Sequence, residues 1–520
     1  MKRKFVTGIS LALIALIFLI VTRQTTGQLE WTEQEELRYA LLNPIGSGKN
    51  GLSFISSDQT NIIFKNRLTT EEIEGNRFLL SGSGVAIGDI DADGLADIFF
   101  CRLNGENVLY KNLGNWKFKD ITQKAGLDNI KRYSTGTVFA DLDGDTDLDL
   151  LVTALGGPNS YYRNDGKGVF TDITVAGGLE SSKGSTSMAL ADIEGDGDLD
   201  LYIANFKMNS VESILSPSER RQANITKREG DTFIVRPEFT EHYRVDLSGD
   251  EPVLIEKAEL DVLYINDGFG RFKPFTVDTD RFADVNGDNI EELFDWGLQV
   301  RFQDFDNDGD PDIYVCNDYG SPDRIWRNDD RGFFQPVDFK SVRHTSRFTM
   351  SADFSDIDRD GDVDFMLADM LARDHGKMLM QESTIDQWQE PRRIGRSDTR
   401  PQIKRNTLFV NRGDNTYAEI APMSGLSATD WTWSLLFVDI DLNGFEDLLV
   451  SNGQLFDFED NDSNDRISRL AQLGADYRQM VSLYPEYLTP NVAFRNMGNL
   501  RFEDVSDTWG FTEADISHGM

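Results

Sequence analysis

Six stretches of this chain obey one rule: oxygen-bearing side chains at positions 1, 3, 5 and 9, all acidic but for one asparagine, then a run of apolar residues. The clearest is Asp304-Phe-Asp306-Asn-Asp308-Gly309-Asp310-Pro-Asp312, followed by Ile313-Tyr314-Val315. Its relatives offer Asp89, Asp91, Asp93 and Asp97; Asp141, Asp143, Asp145 and Asp149; Asp192, Glu194, Asp196 and Asp200; Asp356, Asp358, Asp360 and Asp364; and Asp439, Asp441, Asn443 and Asp447. Oxygens crowded at this spacing describe a wrap around a hard cation, and Ca²⁺, which takes ~6–8 oxygens in flexible geometry, suits it best. About six calcium sites are expected. The bland reading, acidic turns without metal, leaves strong carboxylate repulsion that nothing offsets.

Position 6 is glycine in five loops (Gly94, Gly197, Gly309, Gly361 and Gly444), where the chain turns sharply. Thr146 breaks that rule, so the loop at Asp141 is the exception. An EF-hand is excluded because position 12 is Phe100, Val152, Ile203, Val315, Leu367 or Val450, none of which binds calcium as the required Glu does. Those residues lie in short apolar runs that read as buried strands. Asp284-Val-Asn286-Gly-Asp288 resembles a loop start but lacks the following strand and reads as a polar turn.

A second repeat runs in phase with the first. Asn112, Asn164, Asn266, Asn328, Asn411 and Asn496 each have an aromatic residue two before and six after, with turn formers between, which is the signature of a hairpin. The aromatics read as core. One unit is therefore strand, acidic loop, strand, connection, strand, Asn turn, strand. Residues 84–123 show all four strands: 84–90, 97–102, 107–113 and 118–123. Loop starts fall 52, 51, 112, 52 and 83 residues apart. A four-stranded unit recurring at about fifty residues is a propeller blade, and the fold class is all-β. The large insertions (207–259, 368–405 and 453–490) all fall between strands two and three. Successive connections in an up-and-down sheet alternate ends, so these helical or irregular insertions gather on the face opposite the acidic loops. Long loops on one face of a rigid scaffold are where recognition concentrates; covering the channel mouth is the competing role.

The formal charge is −37 over 520 residues, which argues against nucleic acid as a partner. A local basic run (Arg392, Arg393, Arg396, Arg400, Lys404 and Arg405) faces either an acidic partner, the protein's own acidic surface, or solvent. Met1-Lys-Arg-Lys4 and the apolar run from Phe5 to Val21 form an export signal or a single membrane anchor, residues 1–27. Residues 28–51 are expected to hold a short helix, with Thr32 and Glu35 as its capping box. The propeller spans 52–516, and 517–520 begins a further repeat; either the chain is a piece of something longer or residues 52–67 help complete the ring. Cys101 and Cys316 sit in units three apart, too distant to pair, and are expected to be buried thiols.

The Asp-x-Asp-x-Asp-Gly-x-x-Asp loops with their apolar strands resemble the FG-GAP or VCBS repeats of integrin-α-type propellers. Leu109-Tyr-Lys-Asn112…Phe118-Lys-Asp-Ile-Thr122, then Ala125-Gly-Leu, repeated as Arg163-Asn164…Phe170-Thr-Asp-Ile-Thr174, is most similar to the cartilage acidic protein / ASPIC-UnbV branch. The resemblance covers roughly residues 50–520. It implies seven blades, calcium in the loops, and a secreted or surface role in adhesion. The expected function is an exported, non-catalytic calcium-binding scaffold, periplasmic, cell-surface or secreted, that meets a protein or glycan through the insertion face. The alternative is an extracellular polysaccharide-acting, lyase-like enzyme. Its inventory is thin: four histidines without motif context, and insertion residues such as Tyr477, Arg393 and Lys404.

Overall fold

The run that follows each acidic loop becomes a strand in the middle of a sheet. Asp149–Ala154, Asp200–Asn205, Asp312–Asn317 and Asp447–Asn452 are buried at every residue, as continuous apolar sequence covered on both faces requires. The structure is a computed structural model that describes residues 31–34, 37–40, 51–128, 133–216, 218–230, 232–246, 253–277, 281–290, 293–318, 321–329, 331–381, 400–475 and 477–519.

Each central strand organises an antiparallel four-stranded sheet in chain order. Blade one is Val85–Gly88, Asp97–Phe100, Val108–Asn112 and Phe118–Asp120. Blade two is Ser134–Ala140, Asp149–Ala154, Ser160–Asn164 and Phe170–Asp172. Blade three is Ser185–Ala191, Asp200–Asn205, Val262–Ile265 and Lys273–Thr276. Blade four is Gly297–Gln303, Asp312–Asn317, Arg324–Arg327 and Gln335–Pro336. Blade five is Ser351–Ser355, Asp364–Ala368, Thr407–Asn411 and Tyr417–Glu419. Blade six is Asp430–Val438, Asp447–Asn452, Val492–Asn496 and Phe502–Asp504, with Met370–Leu371 added beside its first strand.

The fold is a β-propeller. First strands of successive blades pack side by side. Five of them, with Met350 just before that of blade five, line one axial cavity of about 300 Å³ together with Gly519. The core lies between sheets. Phe99, Leu109, Leu150 and Tyr162 join blade one to blade two, and Met366, Leu408, Leu435 and Phe494 join blade five to blade six. Close packing of apolar side chains across each of these seams makes the ring stiff.

Six blades are complete among the described residues. A seventh position exists, and this chain fills its rims. The Ser517 amide donates to the Asn452 carbonyl and Ser517 Oγ accepts from Asn491 Nδ2 at 3.1 Å, as Ser134 does from Asn107 at 3.0 Å. Opposite, the Leu52 amide donates to the Trp509 carbonyl at 2.8 Å, as that of Phe170 does to Ala125 at 2.9 Å. Leu52 therefore stands where blade two begins its outermost strand, and Ser517 where it begins its innermost.

Residues 1–49 are a separate unit. Within it Trp31–Gln34 and Leu37–Ala40 pair as antiparallel strands. At Thr32, where a helix cap was expected, the described residues form the strand Trp31–Gln34 instead. The export segment 1–27 lies outside the described residues. Among the described residues no helix is long and apolar enough to cross a membrane.

All three insertions leave from the same end. The first holds the hairpins Thr226–Glu229 with Thr232–Val235 and Tyr243–Asp246 with Val253–Glu256. The second holds the helix His375–Gln381 and the third the helix Asn461–Gln472. Cys101 and Cys316 are buried free thiols, as their spacing predicted.

Candidate metal centres

Each acidic loop is wound by backbone amides before any cation is considered. Asp304 accepts from the amide of Asp308 at 3.2 Å and of Gly309 at 3.0 Å. Asp89, Asp192, Asp356 and Asp439 repeat this clamp on positions 5 and 6. The winding needs left-handed backbone at position 6, supplied by Gly94, Gly197, Gly309, Gly361 and Gly444. Thr146 is forced into the same region at φ 77°, and its amide still reaches Asp141 Oδ2 at 3.0 Å. The second loop thus closes despite its missing glycine, under strain.

Position 9 has a second task that spacing alone did not reveal. Asp97, Asp149, Asp200, Asp312, Asp364 and Asp447 are fully buried. One oxygen of each accepts the backbone amide of the repeat asparagine: Asn112, Asn164, Asn266, Asn328, Asn411 and Asn496 respectively. In five of them the other oxygen accepts the amide at position 2; in the second loop it accepts from Tyr161. Burial pushes Asp149, Asp200, Asp312 and Asp364 up to about 7. A carboxyl so shifted gains from a nearby positive charge.

Position 3 points to that charge. Oδ1 of Asp91, Asp143, Asp306, Asp358 and Asp441 is buried with no hydrogen-bond partner. A buried, unpaired carboxylate oxygen is costly, and here it recurs at one position of five loops. Carboxylate oxygens converge in the same five: Asp89, Asp91 and Asp97; Asp141, Asp143 and Asp145; Asp304, Asp306 and Asp308; Asp356, Asp358 and Asp360; Asp439, Asp441 and Asp447, each group within 4.8 Å. Burial and then neighbouring carboxylates raise Asp143 and Asp358. These residues fit a divalent cation. Lys111 reaches Asp91 and Asp93, and Arg495 reaches Asp441 at 2.6 Å; both take the outer oxygen and leave Oδ1 orphaned.

The third loop is different. Arg281 sets both terminal nitrogens 3.2 Å from Glu194 Oε2 and is anchored by the carbonyls of Arg331 and Gly332. Asp192, Glu194, Asp196 and Asp200 are not among the converging groups of the described residues. Glutamate is one methylene longer than aspartate, and its Oε2 is paired with the guanidinium of Arg281. Asp284 to Asp288 form a polar turn, as read from sequence: the Asn286 and Asp288 amides both donate to Asp284.

Two further repeated roles emerge only in three dimensions. Asn107, Asn159, Asp261, Asp323, Asn406 and Asn491, just before strand three, each accept an amide from the end of strand two. Four of the repeat asparagines also bridge to the preceding blade through their side-chain amides. On the insertion face, Lys404 pairs with Glu459 at 3.0 Å and Arg405 with Glu419 at 2.6 Å. Arg400 donates to the carbonyls of Val342 and Val337. This end of the basic run is therefore held by the protein itself. Arg392, Arg393 and Arg396 lie outside the described residues, as does the side chain of Tyr477.

A family model described as an FG-GAP-like repeat matches residues 89–152, 141–203 and 304–367. Cartilage acidic protein 1 of Mus musculus is 31% identical over 157 residues, 30% of this chain and 23% of that protein. The Xenopus tropicalis protein is 29% identical over 151 residues, 28% of this chain and 22% of that one. The match thus spans under a quarter of the length of these curated relatives. Among solved structures, an Agrocybe aegerita lectin recognising non-reducing terminal N-acetylglucosamine aligns over 82% of each chain at 14% identity and TM-score 0.37. A V. cholerae biofilm matrix protein aligns over 55% of this chain and 34% of its own at 13% identity and TM-score 0.29.

Proposed function

We propose that this propeller is an exported, non-catalytic calcium-binding scaffold whose recognition surface is the insertion face. The observation that carries the calcium reading is the recurrent orphan oxygen at Asp91, Asp143, Asp306, Asp358 and Asp441. Calcium would be held there with positions 1 and 5 in the loops at Asp141, Asp304 and Asp356 and with positions 1 and 9 in those at Asp89 and Asp439, five sites in all. In the third loop Arg281 takes the cation's place. Ions bound only by the folded ring stabilise it by mass action. Export would fit this reading, because calcium is more plentiful outside the cytosol. Similarity to cartilage acidic protein 1 supports an extracellular setting.

Recognition is assigned to the face where 207–259, 368–405 and 453–490 emerge, because the loops of the opposite face are committed to holding the ring. The partner class is protein or glycan. The test replaces residues 453–490 by a short turn and screens glycan and matrix-protein arrays with both forms. The parent should bind a ligand, and the shortened form should lose it while keeping calcium-dependent melting. Equal binding by both forms would contradict the assignment of the face.

A further inference from the structure

Over the axial cavity, on the insertion side, stands a second cavity of about 410 Å³. The two share Phe78, Leu298, Met350 and Trp433. Arg220 comes to the second cavity from the first insertion, and Gln454, Glu459 and Asn464 come from the third. It is therefore the mouth of the channel, closed in by insertion residues. Its volume is that of a small-molecule site, roughly 300–1,000 Å³. The surface of a folded partner cannot enter it; a small molecule or the end of a chain can.

Its lining combines rings with a few polar groups. Phe348, Trp431, Trp433, Phe458 and Tyr484 contribute aromatic wall. Two polar tips there are spent within the protein: the Trp433 indole donates to the Gly453 carbonyl at 2.7 Å, and the Tyr484 hydroxyl donates to Asn464 at 2.7 Å. Two others are not. Trp431 is only 6% exposed, and its Nε1 has no hydrogen-bond partner. Glu459 gives one oxygen to Lys404 at 3.0 Å, while its Oε2 is buried without a partner. An idle buried donor and an idle buried acceptor each cost free energy. A ligand hydroxyl, which both donates and accepts, would recover it. Arg77 and Arg220 balance Asp318 and Glu459 along the lining, so in a chain of formal charge −37 this cavity carries no formal net charge.

We propose that this cavity receives the terminal residue of a neutral glycan. A pyranose has what the lining asks for: apolar C–H faces for the aromatic wall, hydroxyl edges for Trp431 Nε1 and Glu459 Oε2, and no charge. A peptide end would bring an ammonium or a carboxylate out of water into a space with no net charge to offset it. The inference rests on the assignment of recognition to the insertion face, and narrows the partner from protein or glycan to a glycan end.

The probe is a panel of methyl glycosides of glucose, galactose, mannose and fucose, with N-acetylneuraminic acid as the anionic arm and glucosamine as the cationic one. Each is added to the full chain in calcium and read by saturation-transfer NMR. At least one neutral glycoside should bind, and both charged sugars should bind about tenfold more weakly or not at all. Trp431→Phe keeps a ring and removes the donor, so affinity should fall about five- to tenfold. Ser468 lines the cavity from an exposed position, so Ser468→Trp should abolish binding with an unchanged melting curve. Failure of every neutral glycoside, preference for a charged sugar, equal affinity in Trp431→Phe, or binding that survives Ser468→Trp overturns the inference. If a protein ligand is lost on shortening 453–490 while no sugar binds, the assignment of the face stands and the glycan end falls.

Discussion

Asn164 Nδ2 donates at 2.9 Å to the carbonyl of Ile90, a residue in the acidic loop of the preceding blade. Asn266 reaches Leu142, Asn328 reaches Ile193, and Asn496 reaches Ile357 in the same way. Ile90, Leu142, Ile193 and Ile357 all stand at position 2 of their loops. Each asparagine thus ties its own loop, through its amide and position 9, to the loop next door. Blade five does this with Tyr417, whose hydroxyl donates to the Phe305 carbonyl at 3.2 Å. The acidic loops are a linked belt rather than six independent sites.

Breaking the belt should cost more than breaking a turn. Asn328→Ala removes donations to Ile193 and Pro311 and leaves a buried carbonyl unsatisfied, so it should destabilise by about 2–4 kcal/mol. Asn112→Ala loses a side-chain donation only within its own blade, to Ala96, and should cost less. Denaturant unfolding of the two variants checks the order.

Thr146→Gly should stabilise the protein. The threonine occupies φ 77°, where a side chain costs about 1–2 kcal/mol relative to the right-handed region. Part of that is offset by the greater freedom of glycine in the unfolded chain, so a net gain near ~1 kcal/mol is expected in thermal unfolding. The reverse change, Gly309→Thr, should destabilise by a comparable amount.

The acidic loops and hairpin turns were legible in the sequence because both have local signatures. All four strands of blade one fall within their expected spans, and several end short of them where pairing between strands gives way to loop backbone. The bridging role of Asn164 was not legible, because its acceptor Ile90 lies 74 residues away. Nor was the claim of Arg281 on Glu194, 87 residues apart; the one hint was glutamate at a position that is otherwise aspartate. The pairing of Trp31–Gln34 with Leu37–Ala40 was hidden because Glu33, Gln34, Leu37, Arg38 and Ala40 favour helix by local preference.

Asp323 gives a pH dependence independent of the loops. Burial raises its carboxyl to about 7, although it accepts hydrogen bonds from Asn317, Tyr314 and Thr349. Between about pH 4 and 7 the folded form holds a proton that the unfolded form has lost. Its contribution is therefore complete below about pH 4 and declines as pH rises, by at most about 1.4 kcal/mol per unit. In Asp323→Asn, measured in chelator against the parent, this slope should be absent.

Position 5 separates metal loop from polar turn. Asp308→Ala should lower the melting temperature by several degrees in calcium and by much less in chelator, because Asp308 belongs to a converging group. Asp288→Ala should change neither, since the Asp284 turn is closed by amides alone.

The most direct test counts ions. Native mass spectrometry of the full chain, equilibrated with calcium and desalted, should show five bound, and chelation should lower the melting temperature by many degrees. Arg281→Gln should add a sixth. A chain that carries no calcium, with the same melting curve in chelator as in calcium, would contradict the account.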